Sequence, residues 1–364
     1  MKPNRFLLFA PALALLFILS CASKDKESFS EAAWREAVAS TRPGDLYAPH
    51  KKDGIFFTPW MKMKDKSVLD VLEWKLFSRP GYTPEERGVL PEVIPDTAQR
   101  LARTRGDFIL WIGHNSFLVR VGGQYWLTDP IFSKRALLPA RVTPPAITAA
   151  ELATIVKAPN ILISHNHYDH LDRSSMEELP ETSRVFVPLG LKDYVRKMNK
   201  PLIEEMDWWE EADLGKGVRL VCLPTQHWSM RMNQARNKSL WAAWLLITPE
   251  HTLYFGGDSG YFKGFAEVGK KYPGIDYAFM ATTAYHPRWF MHHQHMNIPE
   301  AVQGFKELGA GYFIPTQWGT FPLGSEPAGF PGLDLQRYIR SRNLDSSRYK
   351  IMDIGEILEI PPAA

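Results

Sequence analysis

A run of metal-binding side chains directly after a short apolar segment constrains this chain most. Residues 160–164 read NILIS, an apolar run short enough for a buried strand. Three histidines and an aspartate follow at once: His165, His167, Asp169 and His170. A helix would spread side chains at this spacing around its circumference, whereas a turn leaving a strand lets them converge. Because imidazole and carboxylate groups suit zinc, iron or manganese, the run predicts a metal site at a strand end.

Strand and helix patterns alternate along the rest of the chain. Strands are predicted at 108–112, 117–121, 125–128, 184–187, 217–223, 241–247, 252–256, 276–280 and 311–314. Helices are predicted at 149–157, 189–198, 262–271, 299–308 and 333–341. Such alternation is typical of a layered α/β domain.

The composition excludes several classes of protein. Hydrophobic residues make up 45% and charged residues 23% of the 364 residues, which excludes wholesale disorder, a coiled coil and a collagen-like fibre. The 43 basic and 40 acidic residues leave a net charge of +3, too balanced for a nucleic-acid binder that works through a basic face. Two cysteines cannot build a disulfide framework.

Two further candidate ligands follow later strands. His227 comes just after the predicted strand at 217–223, and Asp258 follows the strand at 252–256 beside two glycines. Small neighbours let a carboxylate approach a metal ion without a steric penalty. Either residue alone would be an ordinary loop residue, but after the histidine run both are interpreted as further ligands.

The order of the motifs resembles a known family. The chain reads SHNHYDHLD at 164–172, QHW at 226–228, GGDSGY at 256–261 and QWGTF at 317–321. Over roughly residues 56–355 this order is similar to the branch of the metallo-β-lactamase superfamily that contains the N-acyl-phosphatidylethanolamine-hydrolysing phospholipases D. The resemblance implies an α/β fold of the αββα sandwich type, with two mixed β-sheets flanked by helices.

The resemblance also implies two zinc ions and a ligand set for each. The first ion would be held by His165, His167 and His227, and the second by Asp169 and His170. Asp258 would bridge the two ions, and Asp169 and Asp258 would be the catalytic carboxylates. The family's last ligand is a histidine in an HWGTF motif, where this chain has Gln317. Because an amide is a poorer zinc ligand than imidazole, the second site is expected to be weak or to hold another divalent metal.

Other positions carry over from the same resemblance. Gln294 and His295 match a catalytic pair near the attacking water. Asp129 matches a position behind the metal ligands, where it would accept a hydrogen bond from a ligand histidine; a plain Asp-Pro turn is the equal alternative. Apart from the resemblance, a substrate-binding wall is expected from residues that lie near the metal motifs in the sequence: Tyr285, Arg288, Trp289, Phe290 and Trp318. Aromatic residues are also common in cores, and an arginine is common on the surface.

The N-terminal segment is typical of an export signal. Lys2 and Arg5 precede an apolar run at 6–19, and Ser20-Cys21 then resembles a bacterial lipobox. We predict a lipoprotein-type signal peptide at 1–20, lipidation of Cys21, a tether with a short helix at 21–55, and a hydrolase domain at 56–364 with an N-terminal extension at 56–107. A plain signal peptide or an uncleaved anchor is the alternative. The prediction places the protein in the bacterial cell envelope, held on a membrane by its lipid.

The combined features predict a zinc-dependent hydrolase. The favoured function is a phosphodiesterase of the phospholipase D type, acting on N-acyl-phosphatidylethanolamine-like lipids or related small phosphodiesters. The alternatives are a metallo-hydrolase of esters or lactones, and a catalytically weak metal-binding lipoprotein, which Gln317 would favour. No nucleic-acid partner is expected, and the sequence leaves the oligomeric state open.

Overall fold

Two mixed β-sheets face each other in the computed structural model, which describes residues 29–63, 65–78 and 80–361. The strands are β1 (Lys51–Lys52), β2 (Ile55–Phe56), β3 (Asp107–Gly113), β4 (Ser116–Val121), β5 (Gln124–Thr128), β6 (Asn160–Leu162), β7 (Arg184–Pro188), β8 (Leu202–Met206), β9 (Glu211–Gly215), β10 (Val218–Leu223), β11 (Ala243–Ile247), β12 (Thr252–Phe255), β13 (Tyr277–Ala281), β14 (Tyr312–Thr316) and β15 (Ile357–Ile360). One sheet has the order β15-β3-β4-β5-β6-β7-β8, the other β14-β13-β12-β11-β10-β9, and β1 pairs with β2 alone.

Helices cover the outer faces of both sheets. They are α1 (Glu31–Ser40), α2 (Val68–Phe77), α3 (Pro84–Gly88), α4 (Thr97–Arg103), α5 (Ala149–Ile155), α6 (Arg173–Glu178), α7 (Lys192–Arg196), α8 (Gly264–Lys271), α9 (Arg288–Met291), α10 (Ile298–Leu308) and α11 (Phe330–Ser341). Short 3-10 turns occupy Pro43–Tyr47 and Ser346–Arg348. None of the helices in the described part of the chain combines the length and the hydropathy that a membrane span requires.

The side chains of β3 show why the layers form. Successive residues of a strand point to opposite faces of its sheet, and β3 is apolar on both. Ile109 and Trp111 pack in the core between the two sheets. Phe108, Leu110 and Ile112 pack in a second core beneath α4 to α7. The predicted αββα sandwich is therefore confirmed.

Some elements differ from the prediction. The predicted strands and helices are all present with small shifts in their ends. The sequence patterns did not predict the strands β1, β2, β8, β9 and β15 or the helices α2, α3, α4, α6 and α9. β8 and β9 are edge strands, and the burial of β9 alternates between exposed and half-buried. An edge strand lacks the apolar run that marks a central one, so a sequence pattern identifies it poorly.

The expected tether contains α1 at the place of the predicted short helix, and its described part packs on the domain. Trp34 and Val38 on α1 are buried, and so is Leu46 in the following turn. The indole of Trp34 donates a hydrogen bond to Glu300 Oε1 at 2.7 Å. Residues 31–55 therefore belong to the folded body. The predicted signal peptide and Cys21 lie outside the described residues.

Candidate metal centre

Five of the predicted site residues lie just beyond the carboxyl ends of strands that end at one edge of the two sheets. Asp129 follows β5, His165 follows β6, His227 follows β10, Asp258 follows β12 and Gln317 follows β14. β5 and β6 run parallel, and so do β12, β13 and β14. Sites in α/β sheets form where such strand ends meet.

The first cluster consists of His165, His167, His227 and Asp258. His227 Nε2 lies 3.4 Å from Asp258 Oδ2 and 3.3 Å from His167 Nδ1. His165 Nε2 lies 2.8 Å from His167 Nδ1 and 3.8 Å from Asp258 Oδ2. Four ligands of a tetrahedral zinc ion lie about 3.3 Å from one another, so these separations fit one metal ion.

The second cluster consists of Asp169, His170 and a residue that the sequence interpretation had not considered, His114. His170 Nε2 lies 3.3 Å from Asp169 Oδ2 and 3.3 Å from Asp258 Oδ1. His114 Nε2 lies 3.2 Å from Asp169 Oδ2. Since the two oxygens of Asp258 face different clusters, this carboxylate is positioned to bridge them.

Asp129 orients the ligands from behind. Its Oδ2 accepts hydrogen bonds from His170 Nδ1, Ser164 Oγ and Asn115 Nδ2, at 2.7, 2.7 and 2.6 Å. Its Oδ1 accepts from Ser164 N at 2.7 Å. The bond to Nδ1 leaves His170 Nε2 facing the cluster, where it has no hydrogen-bond partner among the described residues. The structure thus contains the ligand-orienting hydrogen bond that was one of the two expectations for Asp129.

The backbone is distorted where the site is built. His114, Asp129 and Gln317 have positive φ angles of 53°, 33° and 74°. Such conformations are uncommon for residues other than glycine and often occur at functional sites. Gly257, with φ of 56°, has a steric reason as well, because a Cβ there would lie 2.7 Å from the Cβ of Ser164. This close approach brings Asp258 to the histidine run.

Gln317 is completely buried beside the centre. Its Nε2 donates a hydrogen bond to Asp258 Oδ1, and its Oε1 has no hydrogen-bond partner among the described residues. Its backbone N–H donates to the carbonyl oxygen of His114 at 3.0 Å. The amide therefore contacts the bridging carboxylate with its nitrogen, which is not the atom that would bind a metal.

Burial sets the charge of the histidines. It lowers the pKa of His167 to about 4, and it lowers the pKa values of His165 and His227 well below the usual range. Burial also opposes a charge on His170, but Asp258, Asp169 and Asp129 overcome it and raise its pKa well above the usual value. The first cluster thus offers neutral imidazoles, which is the form that binds metal. In the second cluster the carboxylates stabilise a positive charge at His170 Nε2, and a bound metal cation would supply that charge instead of a proton.

Gln294 and His295 lie beside the first cluster. The carbonyl oxygen of Gln294 accepts a hydrogen bond from His227 Nδ1 at 3.2 Å, which leaves Nε2 of that histidine facing the other ligands. The ring of His295 lies 5.4 Å from that of His227, and its buried Nδ1 has no hydrogen-bond partner among the described residues. Burial lowers the pKa of His295, so the ring is neutral at pH 7.

The geometry argues against part of the expected substrate wall. Arg288 forms ion pairs with Glu31 at 2.6 Å and Glu300 at 2.7 Å, so a phosphate would have to displace a carboxylate. Trp318 is 5% exposed and stacks on Trp111 in the core, with ring centroids 5.4 Å apart. The sequence did not reveal that Glu31 and Glu300 pair with Arg288, or that Trp318 stacks on Trp111.

The other three residues of the expected wall pack in or against the protein. The hydroxyl of Tyr285 donates to Asp334 at 2.8 Å, and its side chain is buried. Phe290 is 6% exposed and packs on Trp74 of α2, with ring centroids 4.8 Å apart. Trp289 is partly exposed, and its indole donates to Ser78 Oγ at 3.2 Å. Of this group, Trp289 offers the most surface to a substrate.

His114 was overlooked although a signal was present. It follows the carboxyl end of β3 and a glycine, as Asp258 follows β12. The same argument about polar residues at strand ends would have selected it. The tight turn between β3 and β4 made it resemble an ordinary hairpin residue instead.

Comparisons with known proteins identify the family of this chain. A family model described as the β-lactamase superfamily domain matches residues 125–318. The chain belongs to the metallo-β-lactamase superfamily. It is 32% identical over 298 residues to N-acyl-phosphatidylethanolamine-hydrolyzing phospholipase D 1 of Caenorhabditis elegans, covering 76% of this chain and 83% of the worm protein. Within the superfamily, the chain therefore belongs with the branch that includes this phospholipase D.

Two further relatives extend the comparison. An uncharacterized protein of Mycobacterium tuberculosis is 33% identical over 312 residues, covering 81% of this chain and 80% of the relative. The solved structure of Igni18, a metallo hydrolase from Ignicoccus hospitalis, matches with a TM-score of 0.54 and 20% identity. That match covers 70% of this chain and 99% of Igni18, and it supports the fold alone. Family and ligand set together make this superfamily member a metal-dependent hydrolase.

Proposed function

We propose that this hydrolase is a zinc phosphodiesterase that cleaves the headgroup ester of N-acyl-phosphatidylethanolamine-like lipids or of related phosphodiesters. The observation that carries the proposal is the pair of ligand clusters joined by Asp258, because two adjacent cations suit a phosphodiester. The identity to the worm phospholipase D supports the same substrate class.

The reaction adds water to phosphorus and releases an alcohol, leaving a phosphomonoester. Bound metal ions would activate the water and neutralise charge on the phosphoryl oxygens. The chain's own contribution is to hold the ligands rigidly, with Asp129 behind His170 and the Gln294 carbonyl behind His227. We propose that the neutral ring of His295, which lies beside the first cluster, forms a hydrogen bond to the substrate.

An exposed apolar helix supports a lipid substrate. Helix α2 exposes 63% of Leu69, 52% of Leu76 and 57% of Phe77 to solvent. Its Trp74 contacts Phe290 on α9, the helix that leads directly to Gln294 and His295. A contiguous apolar face beside a site marks an interaction surface, and an acyl chain or a bilayer fits this one.

The test is hydrolysis of N-acyl-phosphatidylethanolamine in ¹⁸O-water by zinc-loaded protein. Attack at phosphorus places ¹⁸O in the phosphatidic acid product, as we expect. Label in a released fatty acid would instead show an ester hydrolase and overturn the proposal. No turnover by a fully metal-loaded protein would favour the catalytically weak alternative. Asp258→Ala serves as the inactive control.

A second assay tests the lipid surface. Leu69→Glu with Leu76→Glu should slow hydrolysis of vesicle substrate and leave a soluble phosphodiester unaffected. Leu202→Glu is the matched control. Leu202 is 53% exposed at the amino end of β8, whereas the metal ligands follow the carboxyl ends of the strands. Equal rates on vesicles for all three forms would remove α2 from the proposal.

We further propose that the protein is exported and anchored in the bacterial cell envelope through lipidated Cys21. The basic start, the apolar run at 6–19 and Ser20-Cys21 support this. Intact-mass analysis of membrane-extracted protein should show a chain that begins at Cys21 and carries added lipid mass. A mature chain that begins elsewhere without lipid would contradict it.

A further inference from the structure

We propose that His114 is a ligand of the second metal site, in the role that the family pattern assigns to position 317. The inference is independent of which ester the hydrolase cleaves. It would give the second site two imidazoles and two carboxylates: His114, His170, Asp169 and the shared Asp258. The site would then be complete without Gln317.

The separations support coordination by His114. His114 Nε2 lies 3.2 Å from Asp169 Oδ2, and His170 Nε2 lies 3.3 Å from the same oxygen. His170 Nε2 also lies 3.3 Å from Asp258 Oδ1. All three distances match the separation of about 3.3 Å between the ligands of a tetrahedral zinc ion.

The burial of His114 also favours a metal ion as the partner of its imidazole ring. Its side chain is completely buried, and its Nδ1 has no hydrogen-bond partner among the described residues. Nε2 therefore carries the polar contacts of the ring, and it faces Asp169 and the ring of His170, whose centroid is 5.4 Å away. Burying an imidazole with so few partners is unfavourable unless a metal ion compensates.

Three backbone hydrogen bonds fix the direction of the His114 side chain. Its N–H donates to Thr320 Oγ1 at 2.8 Å, and its carbonyl oxygen accepts from Trp111 Nε1 at 2.9 Å and Gln317 N at 3.0 Å. The QWGTF loop therefore holds His114 in place. A ligand needs such support, because metal binding requires a preorganised geometry.

Gln317 has a different task in this arrangement. Its amide nitrogen donates to Asp258 Oδ1, so it orients the bridging carboxylate. An amide nitrogen does not bind zinc, whereas the imidazole of His114 on the neighbouring loop does. The substitution at position 317 thus leaves the second site with a full set of ligands.

The competing interpretation is that His114 only donates a hydrogen bond from Nε2 to Asp169. Loading the wild-type protein with ¹¹³Cd and counting the imidazole protons correlated to each metal separates the two. We expect three imidazoles on one cadmium ion and two on the other. Three imidazoles on one cadmium ion and one on the other, or a single bound cadmium ion, would overturn the proposal.

A set of variants gives an independent test. His114→Gln keeps an N–H near the position of Nε2, so it preserves a hydrogen bond to Asp169 but removes the imidazole. We expect it to hold one zinc ion instead of two after mild chelation, with at least a tenfold loss of affinity at the second site. Adding Gln317→His to this variant should restore the second ion. Two tightly bound ions in His114→Gln would refute coordination.

The matched control is His251→Gln. His251 is also buried, on the turn before β12 at the opposite edge of the sheet, and its Nδ1 lies 3.8 Å from Asp276 Oδ2. This variant should bind two zinc ions, so it reports the effect of losing a buried imidazole away from the site. If His114→Gln does not fold, the cadmium measurement on the wild-type protein still decides the question.

Discussion

Replacing Asp129 with asparagine tests how the protein prepares its second metal site. Asparagine has nearly the same shape and tolerates the positive φ angle of 33° at this position. The change removes the carboxylate charge from an atom that accepts three hydrogen bonds, from His170, Ser164 and Asn115. If the new NH₂ group takes that place, His170 must accept at Nδ1 and carry its proton on Nε2, so Nε2 cannot bind metal.

The opposite amide orientation has its own consequence. The oxygen would then keep the bond to His170, and the NH₂ group would face the N–H of Ser164, which now donates to Asp129 Oδ1. One unsatisfied buried N–H costs about 1–3 kcal/mol of stability. In both orientations His170 loses a charged partner, and losses of this kind reduce metal affinity about 10–100-fold, or about 1.4–2.7 kcal/mol.

Competition with a chromophoric zinc chelator measures the effect. We expect the second zinc equivalent to bind 10–100-fold more weakly in Asp129→Asn, while the first changes less. Asp207→Asn is the matched control, because Asp207 accepts from His50 Nε2 at 2.7 Å away from the centre. If folded Asp129→Asn binds both zinc ions as tightly as the wild-type protein, the reasoning about the His170 tautomer is refuted.

Three further predictions concern stability and metal retention. Burial raises the pKa of Glu326 to about 7 from the ordinary 4.5, so the wild-type free energy of unfolding should fall by about 3 kcal/mol as pH rises through that range. Urea unfolding of Glu326→Gln should lack this fall; an equal slope in both forms would contradict it. Metal analysis should find neither zinc ion in Asp258→Asn and both in Cys222→Ala. Because the Cys222 thiol is buried in the core, Cys222→Ala should lose only about 1 kcal/mol of stability. Full metal content in Asp258→Asn would show that another residue bridges the two ions. Gly257→Ala should lose metal because its Cβ would lie 2.7 Å from the Cβ of Ser164, and unchanged zinc content would show that the loop can shift.

Local patterns predicted the layers correctly, and they selected the four residues that the structure brings together in the first cluster. The apolar strands were recognisable because a strand buried on both faces reads as a continuous apolar run, as 108–112 does. His165, His167, Asp169 and His170 were recognisable because they are close in sequence. His227 and Asp258 were found because each follows a strand, and strand ends meet at one edge.

Contacts between distant segments lay beyond such patterns. His114 stands 55 residues before Asp169, and only the pairing of β3 within its sheet brings the two side chains together. Arg288 looked available to phosphate until the fold placed Glu31, which is 257 residues away, against it. Trp318 and the segment 31–55 likewise pack against residues that are distant in the sequence, such as Trp111 and Glu300. A sequence pattern records which residues are apolar or able to bind a metal, but packing selects their partners, because many alternative contacts satisfy the same pattern until the complete core excludes all but one.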